Sequence, residues 1–329
     1  MTVNAYKQLY PSLQLLIFIS ITMTVNAYKQ LHPSLQLLIF ISITLTGIFI
    51  GYLIGAGLII AFYGVNVLTS VARLDLSTPN AADALWVLQI ISTTVPIFVA
   101  AIVFARLIVK DPRGYLKTTF KFPPVLLAII FCIMLFSSPL IELLSNINQQ
   151  LALPQFLSAL QKWMRDSEDK AQKLTVVLLQ MKTFWSMVIK VLVVGLLTAI
   201  VEEFMFRGCL QTLFTRWTKN IHAAVWITAI LFSSFHMEFF GFLPRMMLGV
   251  LFGYLVAWSG SIWTSVWAHF INNGTAVVLS YLFQNKMIKL NPDDQHVFNY
   301  GSYAFSLIII LFLLLLYKNI ATGKKLLPE

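Results

Sequence analysis

The sequence predicts an all-α membrane protein, a polytopic bundle of about eight transmembrane helices with one additional interfacial amphipathic helix. Hydrophobic residues make up 58% of the 329 residues and charged residues only 11%, whereas a soluble domain contains about 25% charged residues. Several apolar runs are long enough to cross the roughly 30 Å of hydrocarbon in a bilayer. The two cysteines, Cys132 and Cys209, lack the spacing of a disulfide framework or a metal site.

The first feature along the chain is a duplication. Residues 1–22 and residues 23–44 are identical except that Tyr10 in the first copy corresponds to His32 in the second. Repeat architectures drift in sequence and need several units, so a single near-perfect pair is not typical of one. We expect residues 1–22 to lie outside the core. Residues 23–329 are predicted to form one transmembrane domain, whose motif-bearing core lies at about 184–283.

Eight apolar runs are candidate membrane spans, and an even number of spans places both termini on the same side. The sixth run is short for a span. The predicted spans are 35–62, 84–109, 123–145, 184–204, 222–240, 245–259, 262–283 and 302–318.

The net charge of +10 is interpreted as the positive charge of cytoplasmic loops, and a nucleic-acid partner is not indicated. The loop at 105–121 is strongly basic, while the loops at 65–83 and 284–300 are nearly neutral. This bias predicts that both termini lie in the cytoplasm, in a bacterial inner membrane. The other basic residues counted on the cytoplasmic side are Arg207, Arg216, Lys219, Lys318, Lys324 and Lys325.

The loop at 146–182 is longer than a connection requires and carries apolar residues at helical spacing. It predicts an amphipathic helix on the membrane surface that begins after Pro154. The helix could cover the bundle or present substrate to a site, and the sequence favours neither. Its apolar residues are Phe156, Leu160, Trp163, Met164, Ala171, Leu174 and Leu178.

Glu202, Glu203 and Arg207 form the first polar motif within an apolar run. A charge at the centre of a membrane helix costs about 2.5–3.5 kcal/mol on insertion scales, so these residues need partners. Glu203 and Arg207 are four residues apart, which places them on one helical face as a pair. Glu202 lies on another face and becomes a candidate general base or acid. The alternative is an ion pair that anchors the cytoplasmic end of the helix.

Two later spans carry the remaining polar motifs. His236 lies among phenylalanines, and His269 and Asn273 are four residues apart on one helical face. Each set can simply join helices by hydrogen bonds. Together with the glutamates they supply a base, two imidazoles and an amide, which suit water activation and stabilisation of an oxyanion. They also suit a divalent metal such as zinc. The zincin and α/β-hydrolase motifs are absent from the sequence.

Two further charges, Glu238 and Arg245, are expected to serve structure. Glu238 is interpreted as interfacial. Arg245 follows Pro244 at the start of a span, where it could contact a substrate carboxylate. We favour a role in anchoring the helix.

These motifs resemble those of the CPBP family of intramembrane proteases, which includes the CAAX prenyl endopeptidases and proteins linked to bacteriocin processing. The family pattern has three parts, E-E-x-x-x-R, F-x-x-x-H and H-x-x-x-N, and all three occur here in order over about residues 184–283. The matching residues are Glu202, Glu203, Arg207, Phe232, His236, His269 and Asn273.

The resemblance implies peptide-bond hydrolysis in a site between helices that is reachable from the cytoplasm. It assigns water activation to Glu202 and His236, oxyanion stabilisation to His269 and Asn273, and orientation of the two glutamates to Arg207. Glu203 counts with them as a catalytic candidate. A divalent metal would draw its ligands from His236, His269 and Glu202, and the site could equally work without one.

Two other functions remain as alternatives. The same glutamates and histidines could relay protons in a proton- or ion-coupled transporter, although the expected inverted repeat of spans is not visible. A non-catalytic scaffold or immunity protein could bind a partner through the membrane. The expected partners are membrane lipid and, for the protease, a peptide or a membrane-protein substrate.

Overall fold

The computed structural model describes residues 31–75, 77–151, 153–289, 291, 294 and 297–323. The predicted separation of residues 1–22 from the core lies outside these residues, as do Lys324 and Lys325. In the described part the chain forms a bundle of helices. These are α1 (Pro33–Tyr63), α2 (Val65–Ala72), α3 (Ala81–Ile108), α4 (Pro112–Tyr115), α5 (Val125–Gln149), α6 (Ser158–Leu178), α7 (Phe184–Thr218), α8 (Ile221–Phe235), α9 (Phe242–Ser259), α10 (Ile262–Gln284) and α11 (Tyr300–Ala321).

The predicted fold class is confirmed, because each predicted span falls on a helix of the bundle. Among the described residues, six helices are long and apolar enough to cross a membrane. Helices α8 and α10 are the two predicted spans outside this set. Helix α8 has only 15 residues, and α10 contains His269, Asn272 and Asn273, which lower its mean hydropathy. The two exceptions are therefore the helices that carry the histidine motifs.

The prediction for α7 was wrong at its C-terminal end. The span was expected to end at 204 and to leave Arg207 in a cytoplasmic loop, but the helix continues to Thr218. The side chain of Arg207 is fully buried. Its charge is compensated within the bundle by Glu203, so the helix does not need to end where the charges begin.

Two segments of α7 and one of α3 have π-helical hydrogen bonding. In α7 they are Val191–Leu197 and Phe204–Gln211, which flank the α-helical turn that carries both glutamates. In α3 the segment is Ile90–Thr94. Pro96 follows closely and has no N–H to donate back into the helix, which disturbs the ladder there. Such segments are frequent at functional sites.

Helix α8 also ends earlier than predicted, at Phe235 rather than at 240. The imidazole Nδ1 of His236 lies 2.8 Å from the carbonyl oxygen of Phe232 and satisfies one carbonyl of the last turn. Met237 has a φ of 55°, in the left-handed region, which a continuing helix does not allow. A short 3₁₀ turn, Phe239–Gly241, then leads into α9.

A buried amide at the end of α5 holds this 3₁₀ turn. Asn148 is only 3% exposed. Its Nδ2 donates to the carbonyl of Phe239 at 2.9 Å, and its Oδ1 accepts from the N–H of Leu243. On the other side, Ser233 Oγ donates to the carbonyl of Phe242 at 2.7 Å. The connection that follows His236 is therefore fixed by a residue from the half of the chain that lacks the motifs.

The amphipathic helix predicted after Pro154 is present as α6, which is preceded by a 3₁₀ turn at Gln155–Leu157. It packs on the same Phe239–Gly241 turn. The rings of Trp163 and Phe239 lie 5.4 Å apart, and the guanidinium of Arg165 lies 4.2 Å from the ring centre of Phe240. Helix α6 therefore covers the connection between α8 and α9.

Candidate active site

Glu203 and Arg207 form an ion pair in the interior of the bundle. Arg207 Nη1 lies 2.8 Å from Glu203 Oε1, and both side chains are 0% exposed. The four-residue spacing predicted this pair, and the structure places it on one face of α7 as expected. Because a buried charge without a partner is strongly destabilising, each residue makes the other tolerable within the membrane.

Helix α9 completes the surroundings of Arg207. The Nη2 group donates to the carbonyl oxygen of Gly249 at 3.1 Å, and the guanidinium carbon lies 4.5 Å from the ring centre of Phe232. Gly249 allows α9 to pack closely on α8, since a Cβ at this position would lie 3.1 Å from the Cα of Ala229 on α8. The cation is thus held by a carboxylate, a carbonyl and an aromatic face.

His269 joins the glutamate pair from α10. Its Nδ1 lies 2.9 Å from Glu203 Oε1, and its ring stacks on Phe252 with a centroid distance of 5.2 Å. A carboxylate paired with Arg207 is an acceptor, so Nδ1 of His269 carries the proton of this hydrogen bond. This arrangement turns the Nε2 of His269 toward Glu202.

Glu202 lies between the two imidazoles. Its Oε2 is 3.8 Å from His269 Nε2 and 3.8 Å from His236 Nε2. The Nδ1 of His236 faces the carbonyl of Phe232 and therefore carries a proton. Among the described residues, Glu202 Oε2 is buried without a hydrogen-bond partner. The spacing is too long for direct hydrogen bonds and short enough for one water to bridge these atoms.

A cavity of about 200 Å³ opens beside Glu202 and His236, between α3, α7 and the end of α8. The side chains of Glu202 and His236 are 22% and 27% exposed, whereas Glu203 is fully buried. Glu202 and His236 are therefore the motif residues that a substrate can reach. The cavity is lined by Gln89, Thr93, Thr94, Ile97, Thr198, Val201, Glu202, Met205, Phe206, Phe235 and His236.

The hydrogen bonds of Asn273 among the described residues do not involve this cluster. Its Nδ2 is 3.5 Å from the carbonyl of Val194 on α7, and its Oδ1 accepts from Asn272 at 3.1 Å. The structure thus brings together Glu202, Glu203, Arg207, His236 and His269, while the amide of Asn273 joins α10 to the first π-helical segment of α7.

The predicted metal can be tested against these positions. Two imidazole nitrogens and a carboxylate oxygen are the donor types that zinc prefers. In the part of the chain that the structure describes, however, no group of three His, Cys, Asp or Glu side chains is arranged to hold a metal ion. The predicted metal therefore stays a prediction, and the chemistry proposed below is written with protein groups and water.

Glu238 and Arg245 pair with each other, and Arg245 Nη1 also lies 3.4 Å from the carbonyl oxygen of Glu238. Their contacts tie the 3₁₀ turn to the beginning of α9. The expected anchoring role of Arg245 agrees with this position.

Gln89, Thr93, Thr94 and Thr198 line the cavity, but the sequence motifs did not identify them. A signal was present, because polar residues in a predicted span need partners or water. The run "QIISTT" at 89–94 could have been marked on that ground.

The comparison with protein families matches the motif-bearing part of the chain. Residues 184–275 match the family described as type II CAAX prenyl endopeptidase Rce1-like. We call residues 184–275 the Rce1-like domain, after the family that they resemble. This domain contains α7, α8, α9 and most of α10, and it includes each of the motif residues, whereas Gln89 and Asn148 lie outside it.

The chain also resembles a curated protein over part of its length. A stretch of 106 residues is 26% identical to "Uncharacterized protein YpbD" of Bacillus subtilis (strain 168), and it covers 31% of this chain. The chain spans about half of that relative's length, 50%. No solved structure matches the chain.

Proposed function

We propose that this protein is an intramembrane endopeptidase that hydrolyses a peptide bond with water activated by Glu202 and His236. The observation that carries the proposal is the unpartnered Oε2 of Glu202, 3.8 Å from the Nε2 atoms of His236 and His269. A glutamate in this position can serve as a general base. The Rce1-like domain supports the same reaction class.

Water activation follows from the hydrogen-bonding capacity of the cluster. A water between these groups donates one hydrogen to Glu202 Oε2 and the other to His236 Nε2, whose ring proton is on Nδ1. Glu202 removes a proton as the water oxygen forms a bond to the carbonyl carbon of the substrate. The same proton then passes to the amide nitrogen as the C–N bond breaks, so that Glu202 acts first as base and then as acid.

His269 is the candidate for stabilising the oxyanion. A water has only two hydrogens to donate, so the third acceptor in the cluster must itself hold a proton. We place this proton on His269 Nε2, because Glu202 at 3.8 Å and Glu203 at 2.9 Å from its two ring nitrogens together offset the positive charges of His269 and Arg207. The resulting N–H donor lies 3.8 Å from Glu202 Oε2, where an oxyanion formed beside Glu202 would gain from it.

Arg207 has the role of orienting Glu203 and, through it, His269. Asn273 acts by holding α10 against α7 at Val194. The substrate class is a membrane-embedded peptide or membrane protein, which agrees with the location of the cavity among apolar helices. A prenylated CAAX peptide is the natural first probe, since the matched family is described by that activity.

Replacement of Glu202 by Gln tests the function. The purified protein is reconstituted in vesicles with prenylated CAAX peptides and with a pool of quenched-fluorescent peptides from transmembrane segments. We expect wild-type cleavage, and a loss of about 100- to 10,000-fold in kcat for Glu202→Gln, the usual range for losing a general base. His236→Ala is expected to be similarly impaired. Cleavage is measured by fluorescence, and the cut bond by mass spectrometry.

Glu142→Gln is the matched control, since Glu142 is a glutamate of another span that contacts Val297 and Tyr303 rather than the cavity. It is expected to retain activity. The assay is repeated after divalent ions have been removed with a chelator, and the proposed mechanism predicts that activity survives. Full cleavage by both Glu202→Gln and His236→Ala would contradict the proposed water activation, and no cleavage by the wild-type protein would contradict the protease. Proton-coupled uptake that depends on Glu202 would instead favour the transporter.

A further inference from the structure

The wall of the cavity that faces α7 comes from α3, and it is polar. Gln89, Thr93 and Thr94 line the cavity together with Glu202 and His236. They belong to a span with a mean hydropathy of 2.2, where polar side chains are expected to face protein partners or water.

The fold does not use all of these polar groups. Among the described residues, the side-chain amide of Gln89 has no hydrogen-bond partner, and Thr93 Oγ1 has only a contact of 3.4 Å with Ser92 Oγ. Ser92 makes a useful contrast, because it is buried and donates to the carbonyl of Leu88 at 2.7 Å. Gln89 and Thr93 therefore have donors and acceptors to offer, whereas Ser92 is satisfied within its own helix.

The backbone of this wall is held by α1. A Cβ at Gly51 would lie 2.4 Å from the carbonyl oxygen of Ile91, so α1 packs directly on the π-helical segment Ile90–Thr94. This close contact fixes the position of the segment against the cavity. A rigid element is what a binding wall requires, since a mobile one would lose affinity to ordering.

The chemistry of the wall identifies what it can bind. A peptide hydrolysed inside the membrane must be extended at the cut bond, and each buried N–H or C=O left unpaired costs about 1–3 kcal/mol. An amide and a hydroxyl can both donate and accept, which matches alternating peptide groups. The lining contains neither Lys nor Arg, so an anionic headgroup is not favoured.

We infer that Gln89 and Thr93 bind the main chain of the substrate peptide, on the side of the cut bond opposite Glu202. The inference rests on the proposed function and names its substrate-binding wall. It places this wall outside residues 184–275, in the half of the chain that carries no family motif.

The test compares Gln89→Leu and Thr93→Val with Ser92→Ala, in the same peptide assay. We expect KM to rise about 10-fold for each of the first two variants, as for the loss of a hydrogen bond worth about 1.4 kcal/mol, while kcat changes little. Ser92→Ala is the matched control from the same π-helical segment and should leave KM unchanged. Melting temperatures of the variants separate binding from folding.

A second substrate makes the test specific to the main chain. Replacing one amide next to the cut bond by an ester removes an N–H without changing a side chain. The ester should bind the wild type about 10-fold more weakly and should bind Gln89→Leu or Thr93→Val with no further loss, which is the coupling expected for a direct contact. Unchanged KM in both variants, or an equal rise in Ser92→Ala, overturns the inference.

Binding of the same fluorescent peptides to Glu202→Gln distinguishes the two proposals. If the peptides bind in a manner that depends on Gln89 but the wild-type protein does not cleave them, the binding wall is supported and the protease is contradicted. If the wild-type protein cleaves the peptides but binding does not depend on Gln89, the protease is supported and the binding wall is contradicted. A protein that neither binds nor cleaves contradicts both.

Discussion

Arg207 shows how one residue allows several others to function inside a membrane. Its guanidinium contacts Glu203, the carbonyl of Gly249 and the ring of Phe232, and Glu203 in turn contacts His269. The position of one imidazole therefore depends on a charge that never meets the substrate. This dependence predicts that loss of Arg207 affects stability before it affects chemistry.

Replacing Arg207 by Met should destabilise the protein by about 3–5 kcal/mol, because Glu203 is left as an uncompensated buried charge. The measurement is denaturant unfolding of the purified protein in detergent. Arg113→Met, at an exposed position of α4, should change little. The double variant Arg207→Met with Glu203→Gln should recover part of the loss, and equal stability of the single and double variants would argue against the pair.

At this scale the sequence was informative where spacing alone decides the geometry. The four-residue interval between Glu203 and Arg207 was enough to predict their pairing. The sequence could not reveal that Asn273 forms a hydrogen bond with the carbonyl of Val194, because that contact depends on the approach of α10 to a π-helical segment. Gln89 was missed for a related reason, since its side-chain amide has no hydrogen-bond partner among the described residues and it matches no motif.

Among the elements, the packing of α9 on α8 is decided by small residues. Gly249 lies against Ala229 so closely that a Cβ would meet backbone atoms at 3.1 Å. Backbone cannot move aside as a flexible side chain can. The helices must therefore separate by a few tenths of an ångström if Gly249 gains a methyl group, which would weaken the bond from Arg207 to the Gly249 carbonyl.

Gly249→Ala is accordingly expected to lower thermal stability by about 1–3 kcal/mol, the usual range for overpacking, and to reduce cleavage. Gly57→Ala is the control, because no atom lies within 4 Å of a Cβ at Gly57. It replaces glycine within helix α1 and should be neutral or slightly stabilising. Melting temperatures of the two variants in the same detergent provide the comparison.

Helix α6 meets the turn after His236 through a carboxylate. Glu168 Oε2 accepts the N–H of Phe240 at 2.9 Å. Burial raises the pKa of Glu168, and the hydrogen bond from Phe240, which lowers it, offsets only part of this effect. Glu238 also raises this pKa, while Arg245 and Arg165 lower it. The ionised form is therefore less favourable in the folded protein than in the unfolded chain, and stability falls as pH rises through the pKa of Glu168.

Glu168→Gln keeps an acceptor for Phe240 and removes the charge. We expect the variant to melt at a higher temperature than wild type at pH 8, with a difference that shrinks as the pH approaches about 4.5, the ordinary pKa of glutamate. Melting curves across this range are the measurement. A variant that is less stable at pH 8 would show that the charged hydrogen bond outweighs the burial.

The ends of elements were the least predictable part of the fold. Hydropathy located the helices of the bundle, because a run of apolar residues has few other uses. It placed the ends of α7 and α8 incorrectly, since charges inside α7 are paired within the bundle and α8 ends at the left-handed Met237. Neither cause appears in a count of apolar residues.

For the whole molecule, the contacts define two faces. His32 meets Trp217 on one face, and the turn after His236 meets α6 on the other. If the termini lie in the cytoplasm, as the basic loops predict, then His236 lies toward the opposite side of the membrane. The family resemblance implies instead that the site is reachable from the cytoplasm, and the two expectations therefore disagree.

Topology is therefore a direct test of the proposed orientation in a bacterial inner membrane. Following the basic loops, we expect an alkaline phosphatase fused after Thr322 to be inactive, because that enzyme folds only where disulfides form. The same enzyme inserted in the loop at 284–300 should be active. The reverse pattern would restore cytoplasmic access and contradict the charge-based orientation.

The hydrogen bonds by which Asn148 holds the turn after His236 matter for protein engineering. The residues to which we assign the proposed chemistry belong to one contiguous stretch, but the amide that holds their connecting turn comes from elsewhere in the chain. A chimera that grafts residues 184–275 onto an unrelated scaffold would inherit the reactive side chains without this brace. Successful transplants will have to carry a substitute for it.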